Sequence, residues 1–269
     1  MATFDMTASA DCMTQLTAIG LAAAAAILES RGDGEIDIKA DGSPVTRADL
    51  AAEAVIRAGL GRGFPTLPIV SEEQAETERP AASELYFLVD PLDGTREFIA
   101  GRDEYTVNIA LMADGTPILG MIVAPALGAV WRGVVGLGAE RLEFSSGKIS
   151  SPQTIRTRPR PHDELVVMVS RSHLDARTQT YLEGLPHARR IACGSSLKFC
   201  RLAEGAADHY PRLGPTRDWD VAAGDAVLTA AGGSVLAPAG GPLRFGTPQR
   251  RIPGFLAWSD PAPASAITG

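Results

Sequence analysis

Six acidic residues and one threonine stand where chemistry is expected. Glu72 and Glu73 follow a short apolar stretch ending at Val70, and Asp90 closes the apolar run Leu85 to Val89. Asp93 follows in Asp90-Pro91-Leu92-Asp93-Gly94-Thr95, Asp220 lies in Trp219-Asp220 at the predicted start of a late helix, and Asp49 lies three residues after Thr46. A carboxylate held at the end of a buried strand is costly unless its charge is offset. A second one across a single Pro-stiffened turn repels the first unless a cation lies between them. Mg2+ suits such a place, because it takes hard oxygen ligands and keeps room for water and phosphate oxygens. The Leu92 carbonyl would add a neutral oxygen, and exposed N–H groups at Gly94 and Thr95 would favour a phosphate.

Each residue also has a plainer reading. Thr46 and Asp49 resemble a capping box, Asp93-Gly94 is a common turn dipeptide, Asp218 or Asp220 can cap the helix that follows, and Glu72 and Glu73 can be solvated loop charges. The combination, rather than any member, predicts a metal clamp beside a phosphate cradle. Other motifs do not fit. The spacing Asp-x-x-Asp-Gly-Thr is one residue longer than the Asp-x-Asp-x-Thr of haloacid-dehalogenase phosphatases. The sequence has no P-loop and no HExxH, and His162, His173, His187 and His209 show no metal-ligand spacing.

Several elements must position these groups. An Ala-rich helix is predicted from Asp11 to Ser30, ended by Arg31-Gly32, and a second from Thr46 to about Gly59. Ile36 and Ile38 alternate with polar neighbours as in a short strand. Leu67 to Val70 is a short strand, Ser71 to Ser83 a loop, and Leu85 to Val89 a strand buried on both faces. Tyr105 to Met112 and Pro117 to Val123 form a hairpin about Asp114-Gly115, which Ala129 to Val135 continues. The stretch Gly136 to His162, dense in Gly, Ser, Pro and Arg, is the expected seam, dividing the chain into 1–137 and 138–269. Beyond it, Glu164 to Val169 is a strand. Helices follow at Asp175 to Glu183, Ser196 to Glu204 and Asp218 to Ala231, the last stopped by Gly232-Gly233. Without strict βαβ alternation, layered α and β is favoured over a doubly wound sheet.

Composition bounds the function. With 25 basic and 32 acidic residues the formal charge is −7, so the net electrostatics oppose binding to nucleic acid. Cys12, Cys193 and Cys200 are too few, and odd in number, for a disulfide framework. The N-terminus has no basic residue before Arg31, unlike a secretory signal. The apolar run Leu16 to Leu28 is short of the roughly 20 residues that span a bilayer. The expectation is a cytoplasmic protein without membrane insertion. The oligomeric state is not legible.

Ser71-Glu72-Glu73, Asp90 to Thr95 and Trp219-Asp220-Val221-Ala222-Ala223-Gly224 resemble, in order and spacing, the motifs of the inositol monophosphatase superfamily of metal-dependent, lithium-sensitive phosphatases. Val45-Thr46-Arg47-Ala48-Asp49 is similar to its upstream acidic motif. Within it, Val169 to His173, Gly194 to Cys200, Tyr210-Pro211-Arg212 and Thr106 to Leu111 are similar to the CysQ-type 3′(2′),5′-bisphosphate nucleotidases, which convert adenosine 3′,5′-bisphosphate to AMP.

The resemblance implies an α+β fold, a layered αβαβα sandwich. It implies two or three Mg2+ ions on Glu72, Asp90, the Leu92 carbonyl, Asp93 and Asp220, with Asp90 bridging and Glu73 behind Glu72. Li+ and Ca2+ are expected to inhibit, and the resemblance adds peripheral contact with the inner membrane face as the alternative to a purely cytoplasmic location. Thr95 and Asp49, assisted by Glu72, would orient and deprotonate the attacking water. Gly94, Thr95 and Asp220 would meet the substrate, and Ser195, Lys198 and Arg212 would hold the nucleotide by its second phosphate. Lys198, three residues after Ser195 on a predicted helix, would face the same way; Arg171 and His173 are weaker candidates. The expected reaction is in-line attack by a metal-activated water with no phospho-enzyme. The alternatives are a phosphatase of the same fold acting on inositol monophosphate or a sugar bisphosphate, and a non-catalytic Mg2+- or nucleotide-binding protein. Two departures from the family are a short loop between Glu73 and Asp90 and the pair Arg217-Asp218 before Trp219.

Overall fold

The computed structural model describes residues 6–32, 36–39, 42–74, 84–145 and 147–260. In chain order, α1 (Met6–Glu29) leads through β1 (Ile36–Ile38) and β2 (Pro44–Thr46) to α2 (Arg47–Gly63) and β3 (Ile69–Ser71). Then come β4 (Tyr86–Asp93), α3 (Thr95–Ile99), β5 (Thr106–Ala113), β6 (Thr116–Ala124), β7 (Ala129–Val134), β8 (Gly138–Ser145), β9 (Lys148–Ile149) and β10 (Gln153–Ile155). The rest is β11 (Val166–Ser170), α4 (Ala176–Glu183), β12 (Arg189–Cys193), α5 (Leu197–Ala203), β13 (His209–Arg212), β14 (Thr216–Arg217), α6 (Asp218–Ala230), β15 (Ser234–Leu236), β16 (Arg251–Ile252) and β17 (Phe255–Trp258).

Strands β3 to β10 make one sheet of order β10-β8-β7-β6-β5-β4-β3, with β9 on β8. It is antiparallel except for β3 beside β4. A second sheet has the order β12-β11-β13-β17-β15. Side-chain alternation along β4 shows the layering. Phe87 and Val89 face a core with Leu16 and Ile27 of α1 and Ile56 of α2. Tyr86 and Leu88 face a different core containing Phe199 of α5, Val227 of α6, and Phe255 and Ala257 of the second sheet. Leu182 of α4 packs on the opposite side of that sheet, against Val167 and Val169. The result is helix, sheet, helix, sheet, helix: the layered αβαβα arrangement expected. It is why β4 reads as continuously apolar, since helices cover both of its faces. Gly120 of β6 lets α6 approach closely, for a Cβ there would lie 2.3 Å from the Ala223 carbonyl oxygen.

Three readings change. By sheet membership the chain leaves the first sheet only after Ile155, because β8, β9 and β10 extend that sheet's edge beyond residue 138. Helix α1 starts at Met6 rather than Asp11, and its stretch Ala10–Glu29 is, by length and composition, long and apolar enough to cross a membrane. Its fully buried Leu16, Ala23, Ala24 and Ile27 lie in the core under α2 and the first sheet, which accounts for that apolar character. In the predicted loop Ser71 to Ser83, Glu72–Gln74 is one 3-10 turn, and residues 75–83 lie outside the described set.

Candidate functional site

The segments at the C-terminal ends of β3 and β4, the start of α6 and the start of β2 converge on a cavity of about 790 Å³, and Asp49 of α2 reaches its edge through Thr95. Carboxylate oxygens of Glu72, Asp90 and Asp220 lie within 4.8 Å of one another. Asp93 lies on the same strand as Asp90, past an irregularity in pairing with β5 between those two positions. Within it the Leu92 N–H donates to Asp90 Oδ1 at 3.1 Å.

Burial first, and then neighbouring charge, disturbs these acids. Asp90 is driven well above the usual carboxylate range by burial, with Glu72, Asp93, Asp220 and Asp49 all adding repulsion. Burial and Asp220 lift Asp93 to about 7 against the pull of Lys198. Glu72 also rises to about 7, chiefly through burial, with Asp220 adding and Lys39 opposing. Lys39 Nζ reaches Glu72 Oε1 and Glu73 Oε1, each at 2.7 Å. Burial disfavours its ammonium, but Glu72 and Glu73 outweigh that and hold it charged. A set of oxygen donors crowded this closely, short of positive charge and open to a cavity, fits a hard divalent cation.

Asp49 and Thr95 are together. Asp49 Oδ2 accepts from the Thr46 N–H at 2.8 Å and from Thr46 Oγ1 at 2.6 Å, which caps α2. Its Oδ1 accepts from Thr95 Oγ1 at 3.1 Å, and Thr95 Oγ1 is equally close to the Leu92 carbonyl oxygen. Burial raises the Asp49 pKa, opposed by the bonds from Thr46 and Thr95. The two oxygens of Asp49 are thus divided between the helix cap and Thr95. Asp220 is likewise shared: its Oδ2 accepts from Thr216 Oγ1 and from the Arg217 N–H, capping α6. Gly94 has φ +94°, and a Cβ there would sit 3.0 Å from the Glu104 carbonyl oxygen, so a side chain would be strained and crowded.

Ser195, Lys198 and Arg212 line the same cavity. Ser195, with φ 47°, precedes α5, which begins at Leu197, so it does not share a helix face with Lys198 as predicted. Instead Lys198 Nζ turns back onto the carbonyl oxygens of Ser195 and Cys193. Its ammonium is 5.0 Å from the Tyr210 ring centre. Arg212 is held charged: burial opposes this, and Tyr210, Asp220 and Asp93 outweigh it. Arg171 is engaged elsewhere. It makes two 2.7 Å bonds to Glu104, whose Oε2 also accepts the Gly194 N–H. His173 lines the cavity.

Sequence reasoning missed Lys39, Arg96 and Arg250, which also line the cavity, and left Arg217 as a mere departure. Lys39 follows the alternating Ile36–Ile38 strand, and only the hairpin of β1 on β2 carries it to Glu72. Nothing local in the sequence announces that contact.

Comparison with known proteins bears on the family and the fold. Residues 10–257 match the family model "Inositol monophosphatase family". The chain is 44% identical over 220 residues to the 3′(2′),5′-bisphosphate nucleotidase CysQ of Escherichia coli K12, covering 81% of this chain and 86% of that protein. Its counterpart in Buchnera aphidicola is 38% identical, covering 80% and 79%. Among solved structures, CysQ from Bacteroides thetaiotaomicron superposes with a TM-score of 0.75 at 33% identity, covering 91% of this chain and 95% of that one. An inositol monophosphatase from Zymomonas mobilis gives 0.76 at 28%, with 94% of each chain covered. With its acidic loop, its helix-capping aspartates and its layering all of one kind, the chain belongs to the inositol monophosphatase family.

Proposed function

We propose that this chain is a Mg2+-dependent phosphatase that removes the 3′-phosphate of adenosine 3′,5′-bisphosphate, leaving AMP and inorganic phosphate. The observation that carries this reading is the pairing, in one cavity, of an under-neutralised carboxylate cluster with Lys198 and Arg212 on another wall. A substrate with two phosphates uses both walls, whereas a monophosphate uses one. The 44% identity to a protein named for this substrate class supports the same choice.

Glu72, Asp90, the Leu92 carbonyl, Asp93 and Asp220 would hold two or three Mg2+ ions. When bound, Mg2+ supplies Lewis acidity, lowering the pKa of water and offsetting charge on phosphoryl oxygens. The chain does the rest. Thr95 Oγ1 donates its hydrogen bond to Asp49 Oδ1 and so presents a lone pair to the attacking water. Asp49, assisted by Glu72, receives the water's proton through Thr95. The water oxygen bonds to phosphorus as the bond to the 3′-oxygen breaks in line, and that oxygen takes a proton from solvent. Gly94 and Thr95 steady the scissile phosphate. Ser195, Lys198 and Arg212 bind the second phosphate, with Asp220 at the junction of the two halves of the site. The same carboxylates would also hold Li+ or Ca2+, which are expected to inhibit. Taken as units, 1–137 would carry the cation loop, and 138–269, whose first strands complete the edge of the first sheet, the nucleotide contacts and last acidic ligand.

The test is phosphate release from adenosine 3′,5′-bisphosphate, inositol 1-phosphate and fructose 1,6-bisphosphate, with and without Mg2+ and Li+. The nucleotide should be cleaved fastest, only with Mg2+, and less in Li+. A preference for inositol 1-phosphate would overturn the substrate assignment, and no turnover of any of them would overturn catalysis.

A further inference from the structure

Beside the acidic cluster runs a chain of side-chain hydrogen bonds that the mechanism does not use. The pairing of β4 with β5 sets Asn108 opposite Asp90, and Thr106 opposite Asp93. Cross-strand partners project from the same face of a sheet, so both β5 side chains stand beside the two aspartates. Thr106 Oγ1 lies 2.8 Å from Ser196 Oγ, Ser196 Oγ is 2.7 Å from Asn108 Oδ1, and Asn108 Nδ2 is 3.4 Å from Asp93 Oδ2. The Ser196 N–H also donates to Asp93. Thr106, Asn108 and Ser196 are at most 1% exposed, so water does not compete for these bonds.

The chemistry of the groups fixes the direction of the chain. A carboxylate that holds a cation is ionised and only accepts. The Asn108 amide must therefore turn its NH2 towards Asp93, since the flipped orientation would set two acceptor oxygens face to face. Its Oδ1 then accepts, so Ser196 Oγ donates to it. The single Ser196 hydroxyl proton is thereby used, and Thr106 must donate to Ser196. Every bond points toward Asp93. Ser196 is the residue between Ser195 and Leu197, at the start of the helix carrying Lys198.

We propose that Thr106, Ser196 and Asn108 form a one-way relay that ties the 194–198 wall of the cavity to Asp93. Asn108 and Ser196 are then positioning residues that couple cation binding to nucleotide binding. The inference rests on the reading in which Asp93 holds the cation and the 194–198 segment meets the nucleotide. A cation on Asp93 pins the carboxylate that anchors the relay and the Ser196 N–H, and so orders the wall that carries Lys198. Coupling of this kind is reciprocal and typically amounts to about 5- to 150-fold in affinity.

The experiment is hydrogen–deuterium exchange at the amides of residues 194–199, in metal-free protein and after adding Mg2+ alone. Mg2+ should slow exchange there by about fivefold or more in the wild-type chain and in Thr106→Ser, which keeps the hydroxyl. In Asn108→Ala, which removes the link between Asp93 and the Ser196 hydroxyl, the slowing should fall below about twofold, and Thr106→Val, nearly the same in shape and removing only the far end of the chain, should lose less. Equal slowing in all four proteins, or none in the wild type, would overturn the relay. Calorimetry of adenosine 3′,5′-bisphosphate with and without Ca2+ separates the two ideas. A wild-type chain that shows the Mg2+ effect but binds no nucleotide keeps the relay and loses the substrate reading.

Discussion

Two acidic places in this molecule differ in how their charge is met. Asp208, fully buried at the edge of β13, accepts two 2.7 Å bonds from Arg158 and a third from the Val166 N–H. Its charge is balanced by its own chain. In the cluster of Glu72, Asp90, Asp93 and Asp220, Asp90 is as deeply set and the others are half-buried, Lys39 reaches Glu72 and Glu73, and burial followed by repulsion from neighbouring acids raises Asp90 and Asp93. Burial of acids is therefore uninformative by itself. What separates structural acids from a candidate cation site is whether the fold supplies the countercharge.

Substitutions at the two places should diverge. Asp93→Asn should lower Mg2+-dependent turnover by about 10²–10³, a typical loss for one charge-stabilising group. The fold should survive, with an unchanged or higher Tm in metal-free buffer, because repulsion has been relieved. Asp208→Asn should do the reverse: about 2–3 kcal/mol of stability lost by denaturant melts, with turnover per folded molecule intact. The loss lies at the low end for a buried pair because Arg158 is 39% exposed.

The region next to Asp208 also predicts a pH response. Burial holds the His209 ring neutral, with its pKa lowered to about 3, between the Ala257 carbonyl, the Tyr181 hydroxyl and the Trp258 face. The unfolded chain takes up that proton below about 6.5. Stability from this group is therefore complete above that pH and is lost as pH falls from about 6.5 toward about 3, by about 2 kcal/mol at pH 5. His209→Phe should flatten that slope between pH 7 and 5 in thermal melts. The smallest effect sharpens the contrast between the walls of the cavity. Lys198→Gln should raise KM for adenosine 3′,5′-bisphosphate about tenfold, as expected for one charged hydrogen bond, and leave inositol 1-phosphate kinetics unchanged.

How much could be read in advance follows from the range of the interactions. The strand ending at Asp90, the turn to Asp93 and the capping of two helices are local, and the sequence displays them. Asp49 and Asp220 satisfied both the plain and the chemical reading, because each carboxylate has two oxygens and uses one for the helix. Contacts across long separations were hidden. Lys39 reaches Glu72 over 33 residues, and Ser196 reaches Asn108 over 88. The extension of the first sheet through β10 was hidden too, because Gly- and Ser-rich turns between short edge strands resemble a seam. Lys198 was placed on a helix with Ser195 because periodicity cannot foresee the positive φ that starts α5 two residues later.

The central claim is that the chain leaves this acidic cluster short of positive charge so that a catalytic cation can complete it. Phosphate release from adenosine 3′,5′-bisphosphate, followed against Mg2+ concentration for the wild type and Asp93→Asn, tests it most directly. The account predicts release that is absent in chelator, rises to saturation with Mg2+ in the wild type, and is lower by about 10²–10³ in the variant. Release that persists in chelator, or that Asp93→Asn leaves unchanged, would contradict it.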